Sequence, residues 1–120
     1  MSYKIPKQIN WTVSPSGSSQ AILVGDPSKP GLYVVLTKWR PHHMSRPQSH
    51  PNDRYITVIS GTWWVGWGPK YDPDSTYPIP AGRSVTHFGD QLHYDGAKDE
   101  EAVLQIVGMG PATSTAAEKK

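Results

Sequence analysis

The chain has 120 residues, a formal net charge of +2 and no cysteine. That length fits one ordinary domain, and the missing thiols exclude disulfides, thiolate nucleophiles and thiolate metal sites. Basic residues are scattered from Lys4 to Lys98 without a stripe, which argues against a nucleic-acid partner.

The aromatic balance is unusual, with five tryptophans and six tyrosines against one phenylalanine. Trp and Tyr carry a polar edge and suit a pocket wall or an interface as well as a core. No apolar run approaches the ~20 residues of a membrane-spanning helix, so no membrane partner is expected. No signal peptide is read at the start. Met1-Ser2-Tyr3-Lys4 suits a cytosolic terminus or an initiator placed on a mature secreted chain, so cytoplasm and periplasm both stay open.

Twelve prolines and eleven glycines cut the chain into short pieces and argue against long helices. Residues 1–20 read as a polar arm with a turn at 14–19, pinned to the body by Ile5, Ile9 and Trp11. Residues 21–24 form a short apolar strand stopped by Gly25-Asp26-Pro27, and 32–39 form a second, ended at Arg40-Pro41. Residues 55–60 and 62–67 alternate on either side of Gly61 and predict a hairpin. A loop at 68–76 leads to an edge piece at 77–80, then strands at 84–88, 92–95 and 102–107. The tail from Pro111, including Glu118-Lys119-Lys120, reads as loose and solvated. The expected organisation is an arm (1–20), an all-β body (21–112) and a tail (113–120), the body a sandwich or a closed barrel.

The chemistry-bearing residues are histidines. His50 stands just before the hairpin and His93 just after a turn. Imidazole is the commonest protein metal ligand, and strands far apart in sequence bring such residues together when a sheet curls shut. Gln48, two before His50, projects to the same side on extended backbone. His87 lies mid-strand and is the best additional nitrogen donor, with core packing as its plainer role. His42 and His43 sit in a Pro-flanked turn and are not expected to be ligands together. Arg54, four past His50, cannot ligate a cation; its use is a bidentate grip on a carboxylate or phosphate. Alternation puts Trp63 and Trp67 on one face and Trp64 on the other, and Tyr55 and Tyr94 are candidate proton relays.

The spacing of these residues resembles the cupins, specifically a group of small, mostly uncharacterised bacterial single-domain cupins of the RmlC-like jelly-roll type. Their first motif has the form Gly, five residues, His-x-His, three or four residues, Glu, six residues, Gly; here His42, Gln48, His50, Arg54 and Gly61 stand at those positions. The second has the form Gly, five residues, Pro-x-Gly, two residues, His, three residues, Asn; here Gly82, Phe88, Asp90, His93 and Ala97 do. The likeness extends from about residue 20 to residue 112, and of the four usual metal ligands only His50 and His93 are kept. The resemblance implies a jelly-roll β-barrel, often a homodimer, whose pocket commonly holds Fe, Mn, Ni or Zn. Cupins as a family include dioxygenases, isomerases, lyases and plain binding proteins, so the resemblance implies no single activity.

Three readings follow. The leading one is a metal-dependent enzyme acting on a small, possibly carboxylate-bearing organic molecule. His50, His93, Gln48 and His87 would hold a divalent transition metal, Arg54 and Tyr55 would be catalytic, and Arg54, Trp63, Trp67 and Tyr94 would form the substrate pocket. The alternative is a metal-free binding module for a small anionic or aromatic ligand. The third is an assembly protein whose aromatic face, with Trp64 and Trp67, makes a dimer.

Overall fold

The computed structural model describes residues 9–14 and 16–117. Twelve strands run through it: β1 (Thr12–Val13), β2 (Ser18–Val24), β3 (Gly31–Trp39), β4 (His43–Met44), β5 (Gln48–Ser49), β6 (Arg54–Ser60), β7 (Thr62–Trp67), β8 (Tyr77–Pro80), β9 (Ser84–His87), β10 (His93–Ala97), β11 (Ala102–Gly110) and β12 (Thr115–Ala116). A 3₁₀ turn at Pro73–Ser75, capped by the Asp72 side chain, interrupts the 68–76 loop. Among the described residues no helix is long and apolar enough to cross a membrane.

The strands form two antiparallel sheets. The first has the order β1-β2-β3-β11-β6-β9 and the second β12-β5-β10-β7-β8, with β4 also paired to β10. Tyr33, Val35 and Trp39, Ile56 and Val58, and Leu104 and Ile106 come from the first sheet, while Trp63, Val65 and Ala97 come from the second; together they make one buried core. The sheets therefore pack face to face as a jelly roll. The strand pairing does not run continuously around a barrel: β1 and β9 end one sheet, β12 and β8 the other.

Alternation decides which side chains enter. On β3 the buried positions are Tyr33, Val35, Thr37 and Trp39, and on β11 they are Ala102, Leu104, Ile106 and Gly108. On β6, Ile56 and Val58 are buried, so Arg54 shares the inward row and Tyr55 the outward one. The hairpin turn falls at Gly61, whose φ of +74° and close approach to the Glu101 carbonyl leave no room for a Cβ.

The motif positions that ask for glycine carry a backbone signature. Gly61 and Gly82 have φ of +74° and +87°, and the two positions without glycine, His42 and Asp90, are the only non-glycine residues of positive φ among the described residues, at 65° and 64°. The turn geometry is retained where the residue is not.

Four short strands escape the sequence pattern: β1, β4, β5 and β12 are two residues each and show no period. The expectation of a loose tail is corrected over residues 112–117. β12 pairs with β5, Ala112 N–H donates to Pro27 O at 2.6 Å, and Ala117 N–H donates to Pro47 O at 3.0 Å. Its side chains are mostly exposed and polar, which is why it reads as loose; backbone hydrogen bonds anchor it. Glu118–Lys120 and the pinning residue Ile5 lie outside the described residues. In the arm, Trp11 carries the Lys38 ammonium over its ring at 4.1 Å.

Candidate functional site

Three histidines meet at one end of the space between the sheets. His50 follows β5, His93 opens β10 and His87 closes β9. The rings of His50 and His93 are 5.2 Å apart, and His87 stacks on His93 at 3.9 Å with the planes tilted by 30°. All three are buried. Arg54 joins them because it is the cross-strand partner of His87, on the same inward row. Gln48 is opposite His93 on the neighbouring strand.

Hydrogen bonds assign the protons. His50 Nδ1 donates to the Thr113 carbonyl at 3.1 Å, and its Nε2 accepts from Arg54 Nη1 at 2.7 Å. Both nitrogens of this imidazole are thereby occupied. Burial, then the Arg54 charge, lowers the His50 pKa from 6.5 to about 4. His93 Nδ1 donates to the Gln91 carbonyl at 3.3 Å, leaving Nε2 buried and unpartnered. Its pKa is also lowered, chiefly by burial, with Asp95 opposing. Neither nitrogen of His87 has a hydrogen-bond partner, and burial takes its pKa down to about 2.

Asp95, two along from His93 and buried, supplies the opposite charge. Its Oδ2 accepts from the Trp63 indole N–H at 2.8 Å and its Oδ1 from the Ser45 hydroxyl at 3.2 Å. Ser45 N–H donates to the Asp95 carbonyl at 2.7 Å. Burial lowers the Arg54 pKa from 12.5, with Asp95 and then Tyr33 acting to raise it. Burial likewise pushes the Tyr33 phenol up.

Next to this cluster lies a cavity of about 660 Å³, with Tyr33, Thr37, Trp39, Ser45, Arg54 and Asp95 on its wall. Gln48, His50 and Arg46 reach it too, the Arg46 guanidinium resting over the Tyr71 ring at 4.1 Å. His87 and His93 are not among the lining residues.

The remaining sequence candidates are placed elsewhere. Tyr55 lies on the outer face of the first sheet and is 56% exposed, so its catalytic assignment beside Arg54 is corrected: adjacent residues on a strand face opposite ways. The pocket assignment of Tyr94 is corrected for the same reason. It projects opposite to His93 and Asp95, covers Gly66, and donates its hydroxyl to the Asp72 carbonyl at 3.0 Å. Trp63 is fully buried and binds Asp95 rather than lining the cavity. Trp67, at the end of β7, is half exposed and packs on Tyr77. Trp64 lies under the Lys98 ammonium. His42 is exposed, and His43 Nδ1 donates to the Pro41 carbonyl at 2.9 Å, away from the cluster. Sequence reading missed Asp95, Ser45, Thr37, Trp39 and Thr113. Asp95 carried a usable signal, since it is two residues from His93 on a strand; the others become partners only through the fold.

A resident metal does not fit this donor set. His50 Nε2 is occupied by a cation, Arg54. His87 and His93 are stacked, and in stacked rings the in-plane lone pairs run side by side rather than toward one point. Among the described residues no group of three or more His, Asp or Glu side chains is disposed to hold an ion. The expected ligand set of His50, His93, Gln48 and His87 is therefore brought together without forming a coordination site. The physical reason is Arg54, which puts a fixed positive charge where the motif has a carboxylate ligand.

Neither protein-family models nor curated protein sequences match the chain. Solved structures do. It is similar to the polyketide cyclase RemF from Streptomyces resistomycificus, with a TM-score of 0.83 and 12% identity over 100% of this chain and 87% of that one. A cupin-2 domain from Rhodospirillum rubrum gives 0.74 and 12%, covering 97% and 79%. KdgF from Halomonas sp. gives 0.71 and 16%, covering 91% and 93%. The chain is a small protein with the cupin fold.

Proposed function

We propose that the protein takes a small organic anion into the jelly-roll cavity and holds it on Arg54, with no resident metal ion. The observation that carries this reading is the contact of Arg54 Nη1 with His50 Nε2 at 2.7 Å, beside a cavity of about 660 Å³ whose wall includes Arg54. A guanidinium whose Nε is buried and unpartnered is an anchor for a carboxylate. The similar structures, among them a protein named as a polyketide cyclase, support the processing of small molecules on this fold.

Each residue has a part in that binding. His50, held by the Thr113 carbonyl, fixes one arm of the guanidinium. Asp95, held by Trp63 and Ser45, balances the charge. The chemistry available to a bound anion is proton transfer through the carboxylate of Asp95, which lies on the cavity wall.

The test combines metal analysis of protein purified without a histidine tag with calorimetric titration of short carboxylates (acetate, benzoate, octanoate and gluconate). Saturable carboxylate binding that survives EDTA and is lost in Arg54→Met supports the reading. Stoichiometric metal that is lost in His50→Ala overturns it.

The homodimer implied by the resemblance has a candidate face of its own. Leu32, Tyr55 and Met109 are exposed on the outer side of β3, β6 and β11. Leu32 and Met109 are direct cross-strand partners, so the apolar surface is continuous there.

A further inference from the structure

We propose that the anion taken by this cavity is elongated and hydroxyl-rich, with its carboxylate on Arg54 and its hydroxyls on Thr37 and Trp39 at the far end; this rests on the anion reading above.

The register sets the two ends apart. Gly108 of β11 is the partner of Arg54 on one side and of Tyr33 on the other, so Arg54 and Tyr33 lie at one level. Thr37 is four residues further along the inward row of β3, which at strand rise is about 13 Å, and Trp39 is about 20 Å along. The cavity wall includes all four of these residues. It is therefore a long site, with Arg54 at one end.

Unpartnered atoms mark both ends. Arg54 Nε, Thr37 Oγ1 and Trp39 Nε1 are buried and have no hydrogen-bond partner. Trp39 is 4% exposed and Thr37 9%. Buried polar atoms are nearly always paired, with protein, water or ligand. Trp Nε1 and Arg Nε only donate, whereas a threonine hydroxyl donates and accepts. A ligand hydroxyl meets both the indole N–H and the threonine hydroxyl, and a carboxylate meets the guanidinium.

The rest of the wall agrees with that division. Ser16, Ser18, Gln20 and Ser45 add hydroxyls and an amide. A fatty acid would leave Thr37 Oγ1 and Trp39 Nε1 unpaired. A hydroxylated chain or ring pair satisfies them, with the Trp39 and Tyr33 rings as apolar faces against its C–H surface.

The experiment is calorimetric titration of the full chain with lactobionate, gluconate, lactose and octanoate. Lactobionate carries a carboxylate at one end and a hydroxylated ring at the other. The expected result is lactobionate binding at least about tenfold tighter than gluconate or octanoate, with no measurable lactose binding. Thr37→Val, which removes the hydroxyl at constant shape, and Trp39→Phe, which removes the indole N–H and keeps a smaller aromatic ring, bring lactobionate down toward gluconate; melting curves confirm that the variants are folded. Octanoate or gluconate matching lactobionate on the wild-type chain overturns the proposal whether or not the variants fold, and leaves the Arg54 anchor standing. Failure of every carboxylate to bind overturns the anchor and the proposal together.

Discussion

The guanidinium of Arg54 donates from Nη1 to Nε2 of His50 at 2.7 Å, across four residues of chain. One side chain thus takes the lone pair a metal would need and brings in a permanent positive charge. The consequence is a pocket suited to anions, built from a motif whose usual form suits cations.

Replacing Arg54 with Met removes the second cause of the depressed His50 pKa and leaves the first, burial. The His50 pKa is expected to rise from about 4 toward, without reaching, 6.5. Imidazole chemical shifts followed through a pH titration check this. An unchanged pKa would mean that the two groups are not in contact in solution.

Acid stability follows from His50 and His87, both held neutral by burial, with pKa values lowered from 6.5 to about 4 and about 2. The unfolded chain takes up protons as pH falls through 6.5 and the folded chain does not. The stabilisation is therefore fully present above pH 6.5 and is lost as pH falls toward 4 for His50 and toward 2 for His87. Each histidine contributes up to about 1.4 kcal/mol per pH unit inside its window. Urea denaturation at stepped pH is expected to show the slope, reduced by one such contribution in His87→Phe.

Trp63→Phe keeps most of the buried ring and removes the donor to Asp95 Oδ2, leaving a buried carboxylate oxygen short of a partner. The expected loss of stability is about 1–3 kcal/mol. Chemical denaturation measures it, and a neutral result would show that the Ser45–Asp95 bonds suffice.

Residues 112–117 are expected to exchange slowly despite their exposed side chains, because Ala112 and Ala117 donate to Pro27 and Pro47. Amide hydrogen exchange followed by mass spectrometry tests this segment directly. Removing residues 111–120 takes away the Thr113 carbonyl that orients His50 and the β5–β12 pairing. Weaker carboxylate binding is expected in that truncated chain.

Tyr55→Lys and Met109→Lys place charges on the apolar outer face of the first sheet. If that face joins two copies, sedimentation of either variant shows the monomer mass against a dimer for the wild type. Identical masses would remove this face from consideration.

The alternating strands were legible, since each buries one row of side chains and exposes the other. Leu32 to Trp39, Tyr55 to Ser60 and Ala102 to Val107 all fall within observed strands. The two-residue strands were not, because a period needs more residues than they have. Tyr55 and Tyr94 were misplaced as site residues although alternation itself excluded them: each neighbours an inward residue, Arg54 or His93. Thr37 and Trp39 read simply as part of a β-former run.

The order of residues alone determined an all-β chain with a hairpin at Gly61, turns near positions 42, 61, 82 and 90, and a histidine near each of two of them. Those features are local, and local sterics and side-chain alternation suffice to specify them. The tertiary structure alone decided that Arg54 turns onto His50, that His87 stacks on His93, and that Thr113 closes the remaining nitrogen. These contacts depend on register between strands distant in the chain, and a hydrogen bond across that distance leaves no periodic trace in the sequence.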